Sequence, residues 1–305
     1  MKKVNNREDL LLLTNSNSGK LNSKHIDDSY TFCKQIAINN YENFPVGSIL
    51  IPSNLRPHFF SIYAFSRIAD DIADESFIEN RDEKLASLNR MIDMVENKVK
   101  YQETQNPVFS ALYKTILEKN IPNEPFIKLI NAFKQDVMFQ QPENWDDVLD
   151  YCNKSANPIG ELVLRLFDNY DETTSKKSDA ICTGLQLINF WQDLSIDMKR
   201  GRFYIPKIVL QKNNITIYNE KLIGKKDNIN KSLNELYDFT EKFYKFGFNL
   251  INNIKNKRLK LELKLTMQGG DLVLNKIKNL GIDILDKRPK LNKIDYFLIL
   301  LKATK

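Results

Sequence analysis

From about residue 26 onward, apolar residues return every three or four positions, as in "LASLNRMIDMVENKV" and "LNELYDFTEKFYKFGFNLI". That spacing lays them along one side of a helix, and strand-like alternation bounded by turn residues is hard to find. The ten Gly and ten Pro fall mostly between such segments, at Pro45, Gly47, Pro52, Pro57, Pro107, Pro122, Pro125, Pro142, Pro158, Gly201 and Pro206. These are the positions where helices stop and start. The pattern therefore predicts an all-α fold, a single-domain helical bundle over residues 26–305. Residues 1–25 are polar and aperiodic and read as a flexible tail. The Asn- and Lys-rich stretch from Gln211 to Lys231 reads as a surface loop inside the domain, and no repeat of fixed period is visible.

Composition narrows the picture only a little. A chain of 305 residues with 42% hydrophobic content can bury a large core. The net charge is +6, but Lys and Arg are scattered singly, so no nucleic-acid partner is expected. From Lys207 onward, Lys and Arg outnumber Asp and Glu by twenty-one to ten. Such a basic half could attract diphosphates or an anionic bilayer, although a solvated face is the commoner outcome. Cys33, Cys152 and Cys182 form no paired motif, which points to a reducing, cytoplasmic setting. No apolar run approaches the roughly 20 residues of a spanning helix, so contact with lipid, if any, is peripheral to the inner face of the membrane.

One stretch breaks the lysine-rich trend. "YAFSRIADDIADE", Tyr63 to Glu75, carries Asp70, Asp71, Asp74 and Glu75 with no Lys. On a wheel of about 100° per residue with Asp70 at zero, Asp74 falls near 40°, Arg67 near 60° and Asp71 near 100°. Phe65, Ile68, Ala69 and Ile72 fall opposite. An acidic helix face usually just meets water, so this one needs a partner to mean more.

"GLQLINFWQDLSIDMKRGRFYIP", Gly184 to Pro206, is the candidate. With Asp193 at zero, Gln186 lies near 20°, Asn189 near −40°, Asp197 near 40° and Arg200 near −20° on the same wheel. Leu187, Ile188, Trp191, Leu194 and Met198 fill most of the remainder. Charges on so narrow a stripe are costly to bury unless something compensates them, and a buried site is expected here. Carboxylate and amide oxygens without His or thiolate suit a hard cation such as Mg²⁺, held together with substrate phosphates. The two acidic clusters thus read as opposite walls of a cavity that grips several Mg²⁺ ions and a diphosphate. Lys199, Arg200 and Arg202 surround Gly201, which can end the helix, and with Arg67 they are expected to pair with phosphate oxygens. Lys199 is equally well explained as a complement to the helix dipole. With only His25 and His58 and no paired thiols, zinc is not expected, and no G-x-G-x-x-G suggests a nicotinamide cofactor.

At these residues the sequence resembles the squalene/phytoene synthase family. "FSRIADDIADE" and "LINFWQDLSIDMKRGRFYIP" are similar to its two aspartate-rich motifs, and "LDYCNKSANPIGELVL" to its Tyr-containing cavity segment. "NYENFPVGSILIPSNLRPHFFSIYAFSR" runs into the first motif as the family's helix pair does. The resemblance spans roughly residues 35–285. It implies an isoprenoid-synthase helical bundle with a central cavity. Asp70, Asp71, Asp74, Asn189, Asp193 and Asp197 would hold Mg²⁺, Arg67 and Arg202 would contact phosphate, and Tyr151 and Tyr204 would sit beside a carbocation. "YENFPVGS", "RIADDIADE", "SANPIG" and "NFWQD" are similar to the bacterial hopanoid branch that forms hydroxysqualene from presqualene diphosphate and water without NADPH. Condensing members usually carry Arg where this chain has Gln192, a position that could admit water. Head-to-head condensation of two prenyl diphosphates, to presqualene diphosphate, squalene or phytoene, is the alternative activity. A non-catalytic scaffold is a third reading, disfavoured by the intact acidic motifs.

Overall fold

The computed structural model describes residues 23–40, 50–74, 78, 80–96 and 106–303. They are almost entirely helical, as the periodicity predicts, and group into two compact units. Each unit is described by itself. Residues 1–22 of the expected tail lie outside the described residues, and Ser23–His25 already belong to the first helix.

The first unit comprises α1 (Ser23–Asn40), α2 (Arg56–Asp74), α3 (Arg81–Glu96), α4 (Pro107–Lys119), α5 (Glu124–Val137) and the end of α7 (Asn157–Leu166). Its boundaries follow from local chemistry. Asn106 accepts hydrogen bonds from the Val108 and Phe109 amides and Pro107 opens α4, while Asn120 closes it at φ 47°. An Asn side chain satisfies orphan amides at one end, and an Asn tolerates the left-handed conformation at the other. Phe65 of α2 meets Phe109 and Phe126 edge-to-face, with centroids 5.8 and 5.4 Å apart. Leu88, Met91, Leu112 and Leu129 close the core around them. A buried polar knot sits beside it: Thr115 Oγ1 lies 3.1 Å from His58 Nδ1, 3.2 Å from Tyr30 Oη and 2.8 Å from Ser61 Oγ. Burial lowers the His58 pKa, which favours a neutral core imidazole over a charged group.

The second unit comprises α6 (Trp145–Ser155), the start of α7, α8 (Glu172–Gln192), α9 (Leu194–Asp197), α10 (Lys207–Lys212), α11 (Lys226–Gly247), α12 (Leu250–Asn253), α13 (Lys257–Leu280) and α14 (Lys293–Ala303). α8 is its axis, starting at a capping box between Asp171 and Thr174. Glycines let other helices approach it closely. A Cβ on Gly247 would come within 2.8 Å of the Ile181 backbone nitrogen, and one on Gly184 within 2.7 Å of the Tyr244 ring. Trp191 is fully buried and donates its indole N–H to Thr240, 2.9 Å away.

The expected loop between Gln211 and Lys231 is instead a hairpin followed by the start of α11. Strands β1 (Thr216–Tyr218) and β2 (Lys221–Ile223) pair antiparallel with Ile217 opposite Leu222. Asn219 and Glu220 form the turn at φ 46° and 60°, the twist that two-residue hairpins favour. Three residues per strand are too few for alternation to show against the polar background.

Candidate active site

α2 presents its acids as the wheel predicts. Phe65, Ile68, Ala69 and Ile72 are buried, while Arg67, Asp70 and Asp71 are half-buried and Asp74 is exposed. The face is partly neutralised from within the helix: Arg67 lies 3.3 Å from Asp70 and 2.5 Å from Asp71. Burial alone would lower the Arg67 pKa, but the charges of Asp71 and Asp70 outweigh it and raise it. Tyr63, one turn before Arg67, has its hydroxyl pKa raised by burial. Glu75 and residues 41–49, which include "YENFPVGS", lie outside the described residues.

The second motif departs from a single continuous helix. α8 stops at Gln192, Asp193 takes φ −94° and ψ 4°, and α9 begins at Leu194. That conformation lies in the sparsely allowed bridge region between helix and strand. The Asp197 amide still donates to the Asp193 carbonyl at 2.9 Å, so the two carboxylates keep helical spacing across the break. A 3₁₀ turn, Met198–Arg200, comes next and ends at Gly201, whose φ of 72° a side chain would strain. Arg202 N–H donates to Asp197 and Gly201 N–H to Met198, closing the turn as expected.

The stripe is also less buried than its sequence suggests. Asn189 and Arg200 are exposed, Gln186, Gln192, Asp197 and Arg202 are half-buried, and the Asp193 side chain is 31% exposed. Leu187, Ile188, Phe190 and Trp191 take the buried positions of this end of α8, so the polar edge is left partly exposed and its carboxylates keep part of their hydration.

Two contacts here had no sequence signal. Arg288, 95 residues downstream, forms an ion pair with Asp193. Gln192 Nε2 donates to the Pro289 carbonyl at 2.8 Å. Gln192 therefore commits one of its two side-chain N–H donors to the segment after α13, which leaves the second N–H and the amide oxygen for a water.

Tyr151 and Tyr204 do come together, with centroids 6.1 Å apart. Tyr204 stacks on Phe190 at 3.9 Å and meets Phe139 at 5.2 Å. Phe190 is the neighbour of Asn189, so the acidic edge and the aromatic group share one helix. Gln141 and the first turn of α10 fix this arrangement: Gln141 Nε2 donates to Ile205, and the Lys207 and Ile208 amides donate to Pro142 and Glu143, all within 3.0 Å.

Each acidic edge is a set of partly exposed oxygen ligands, which fits a hydrated hard cation better than zinc or copper. Among the described residues no three His, Cys, Asp or Glu converge on one point. A metal at either edge would therefore draw its remaining ligands from water or substrate, the usual arrangement for Mg²⁺.

The α8–α9 edge sets carboxylates and guanidinium groups beside stacked aromatic rings, a surface of mixed charged and apolar character. The family model for squalene/phytoene synthase matches residues 39–295, and the chain belongs to that family. It is similar to the hydroxysqualene synthase of Sinorhizobium fredii, 31% identical over 79% of this chain and 81% of the relative. It is also similar to that of Rhodopseudomonas palustris, 31% identical over 84% and 86%. Among solved structures, squalene synthase HpnC from Alicyclobacillus acidocaldarius superposes with a TM-score of 0.78 at 32% identity, over 86% of this chain and 97% of that one. The scaffold reading falls away with the family assignment.

Proposed function

We propose that the enzyme ionises a prenyl diphosphate in a Mg²⁺-dependent reaction, converting presqualene diphosphate and water to hydroxysqualene and diphosphate in squalene and hopanoid biosynthesis. The observation that carries this reading is similarity to two hydroxysqualene synthases across 79% and 84% of the chain. The neutral Gln192, in place of the Arg of condensing relatives, supports it.

Asp70, Asp71 and Asp74 on α2, and Asn189, Asp193 and Asp197 around the α8–α9 break, would hold the metal. When bound, Mg²⁺ supplies positive charge against phosphate oxygens and makes diphosphate a better leaving group. Arg67, Arg200 and Arg202 bind and orient the diphosphate through charge-assisted hydrogen bonds. The substrate C–O bond breaks with its electron pair leaving on diphosphate. Tyr151, Phe190 and Tyr204 offer aromatic surface to the carbocation that remains. Water oxygen adds to that cation, and its extra proton passes to solvent. No electrons are exchanged, so NADPH is not required. We place the enzyme in the cytoplasm, in peripheral contact with the inner face of the membrane.

Arg288 favours a second reading. It sets a guanidinium beside Asp193, next to the position where condensing relatives carry their own Arg, and so restores charge that a second diphosphate could use. The test is incubation of the purified protein with Mg²⁺ and, separately, presqualene diphosphate or farnesyl diphosphate, with mass-spectrometric identification of products. Hydroxysqualene from the first, little product from the second and indifference to NADPH are expected. Efficient formation of presqualene diphosphate, squalene or phytoene from simple prenyl diphosphates would move the enzyme to head-to-head condensation.

A further inference from the structure

α14 is seated on α13 by a narrow strip. Asp295, Ile299 and Ala303, one turn apart, are its buried residues. Asp295 lies 2.7 Å from Lys276 Nζ, and a Cβ built on Gly269 of α13 would touch Ile299. The helix start is fixed as well: Asn292 accepts from the Ile294 and Asp295 amides, and its own amide donates to Asp295 Oδ2. That reciprocal cap makes α14 a formed helix.

What α14 turns outward is apolar. Ile294 is 69% exposed, Tyr296 48%, Phe297 60% and Leu298 42%, and the exposed face continues through Leu300 and Leu301. On a helical wheel these side chains, Tyr296 apart, span about 160° of arc. Single exposed apolar residues are ordinary, but a contiguous run on one helix marks a surface that something covers. Exposed Lys290, Lys293 and Lys302 bracket it, within a chain of net charge +6.

We propose that α14 docks the enzyme onto an anionic lipid bilayer, lying in the headgroup region with Ile294, Phe297 and Leu298 inserted and Lys290, Lys293 and Lys302 against lipid phosphates. Among the described residues no helix is long and apolar enough to cross a membrane, so α14 lies on the surface and does not span it. A wide apolar face with lysines at both ends and a Tyr at its edge is the chemistry of such a helix. A second copy fits worse. An eleven-residue helix is about 16 Å long and offers a few hundred Å² at most, well below the roughly 800 Å² per partner of a stable dimer, and self-pairing would bring its lysines together.

The test is flotation of the full chain with vesicles of equal parts phosphatidylcholine and phosphatidylglycerol, and with vesicles of phosphatidylcholine alone. The wild type should float with the anionic vesicles, and high salt should weaken that binding. The double variant Ile294→Glu with Phe297→Glu should bind at least about tenfold more weakly, since it puts charge into the inserting face. Both changes are at exposed positions near a helix N-terminus, where Glu is tolerated. Phe297→Ser alone gives a milder check on folding, read by circular dichroism. Lys290→Ser and Lys293→Ser should each reduce anionic-vesicle binding by about fivefold and leave phosphatidylcholine binding unchanged. Failure of the wild type to float, flotation undiminished in folded variants, or a solution dimer that the double variant dissociates would each overturn the proposal. The assay needs no turnover, so its outcome is separate from that of the reaction assignment.

Discussion

Arg67 pairs with Asp70 and Asp71 from within its own helix, three and four residues away, whereas Asp193 obtains its partner, Arg288, from a point 95 residues along the chain. The first pairing comes with the helix. Once α2 forms, i,i+3 and i,i+4 spacing brings guanidinium and carboxylates together whatever else the chain does. The second depends on the whole of α11 to α13 being in place, with Gln192 clasping the Pro289 carbonyl beside it. Both pairs are partly exposed, so each contributes modestly and can be exchanged for another cation at little cost. They differ in the consequence of that exchange. Releasing Asp71 frees one side chain, while releasing Asp193 frees a segment of backbone.

The sharpest way to break this comparison is to remove the metal. Chelation with EDTA should abolish diphosphate release, and Mg²⁺ should restore it; full turnover in metal-free buffer would overturn the metal assignment and leave the neutralising to side-chain cations. Next in size are Asp193→Asn and Asp74→Asn, each expected to lower turnover by about a hundredfold or more while leaving the thermal midpoint nearly unchanged, because charge is lost and volume is not. Wild-type rates in either folded variant would exclude that carboxylate as a ligand.

Glu262 of α13 extends the comparison to a buried acid. Its Oε2 is buried without a hydrogen-bond partner among the described residues, and burial raises its pKa to about 7. The folded state therefore holds a proton there that the unfolded state, near 4.5, has already released. Stability should fall as pH rises through that window. Glu262→Gln should be more stable than the wild type at pH 8 by up to a few kcal/mol, and the gain should vanish in acid. Urea melts at several pH values would show this, and parallel pH curves for the two proteins would refute it.

Smallest are the effects on stability of Arg67→Gln and Arg288→Gln, each under about 1 kcal/mol. Hydrogen exchange should separate them. Arg288→Gln should speed exchange across residues 286–292, and Arg67→Gln should leave every distant segment unchanged. Equal, purely local responses would mean that the Asp193 pair fastens nothing.

Features that arise within a turn or two of helix were legible along the chain: the all-helical class, the buried and acidic faces of α2 with Arg67 among them, and the reversal at Gly201. These rest on 3.6-residue periodicity and on the backbone freedom of single residues, which need no distant partner. The two acidic motifs and their family resemblance were visible for the same reason, being contiguous. Tertiary packing alone settled that the second motif breaks at Asp193, that Arg288 and Pro289 meet it, and that Tyr151 and Tyr204 gather around Phe190. It also settled that the stripe on α8 faces water and that α14 shows its apolar side. Pairings across 95 residues, and the choice of which face of a largely apolar helix is covered, are fixed by contact with segments whose sequence carries no mark of their partner.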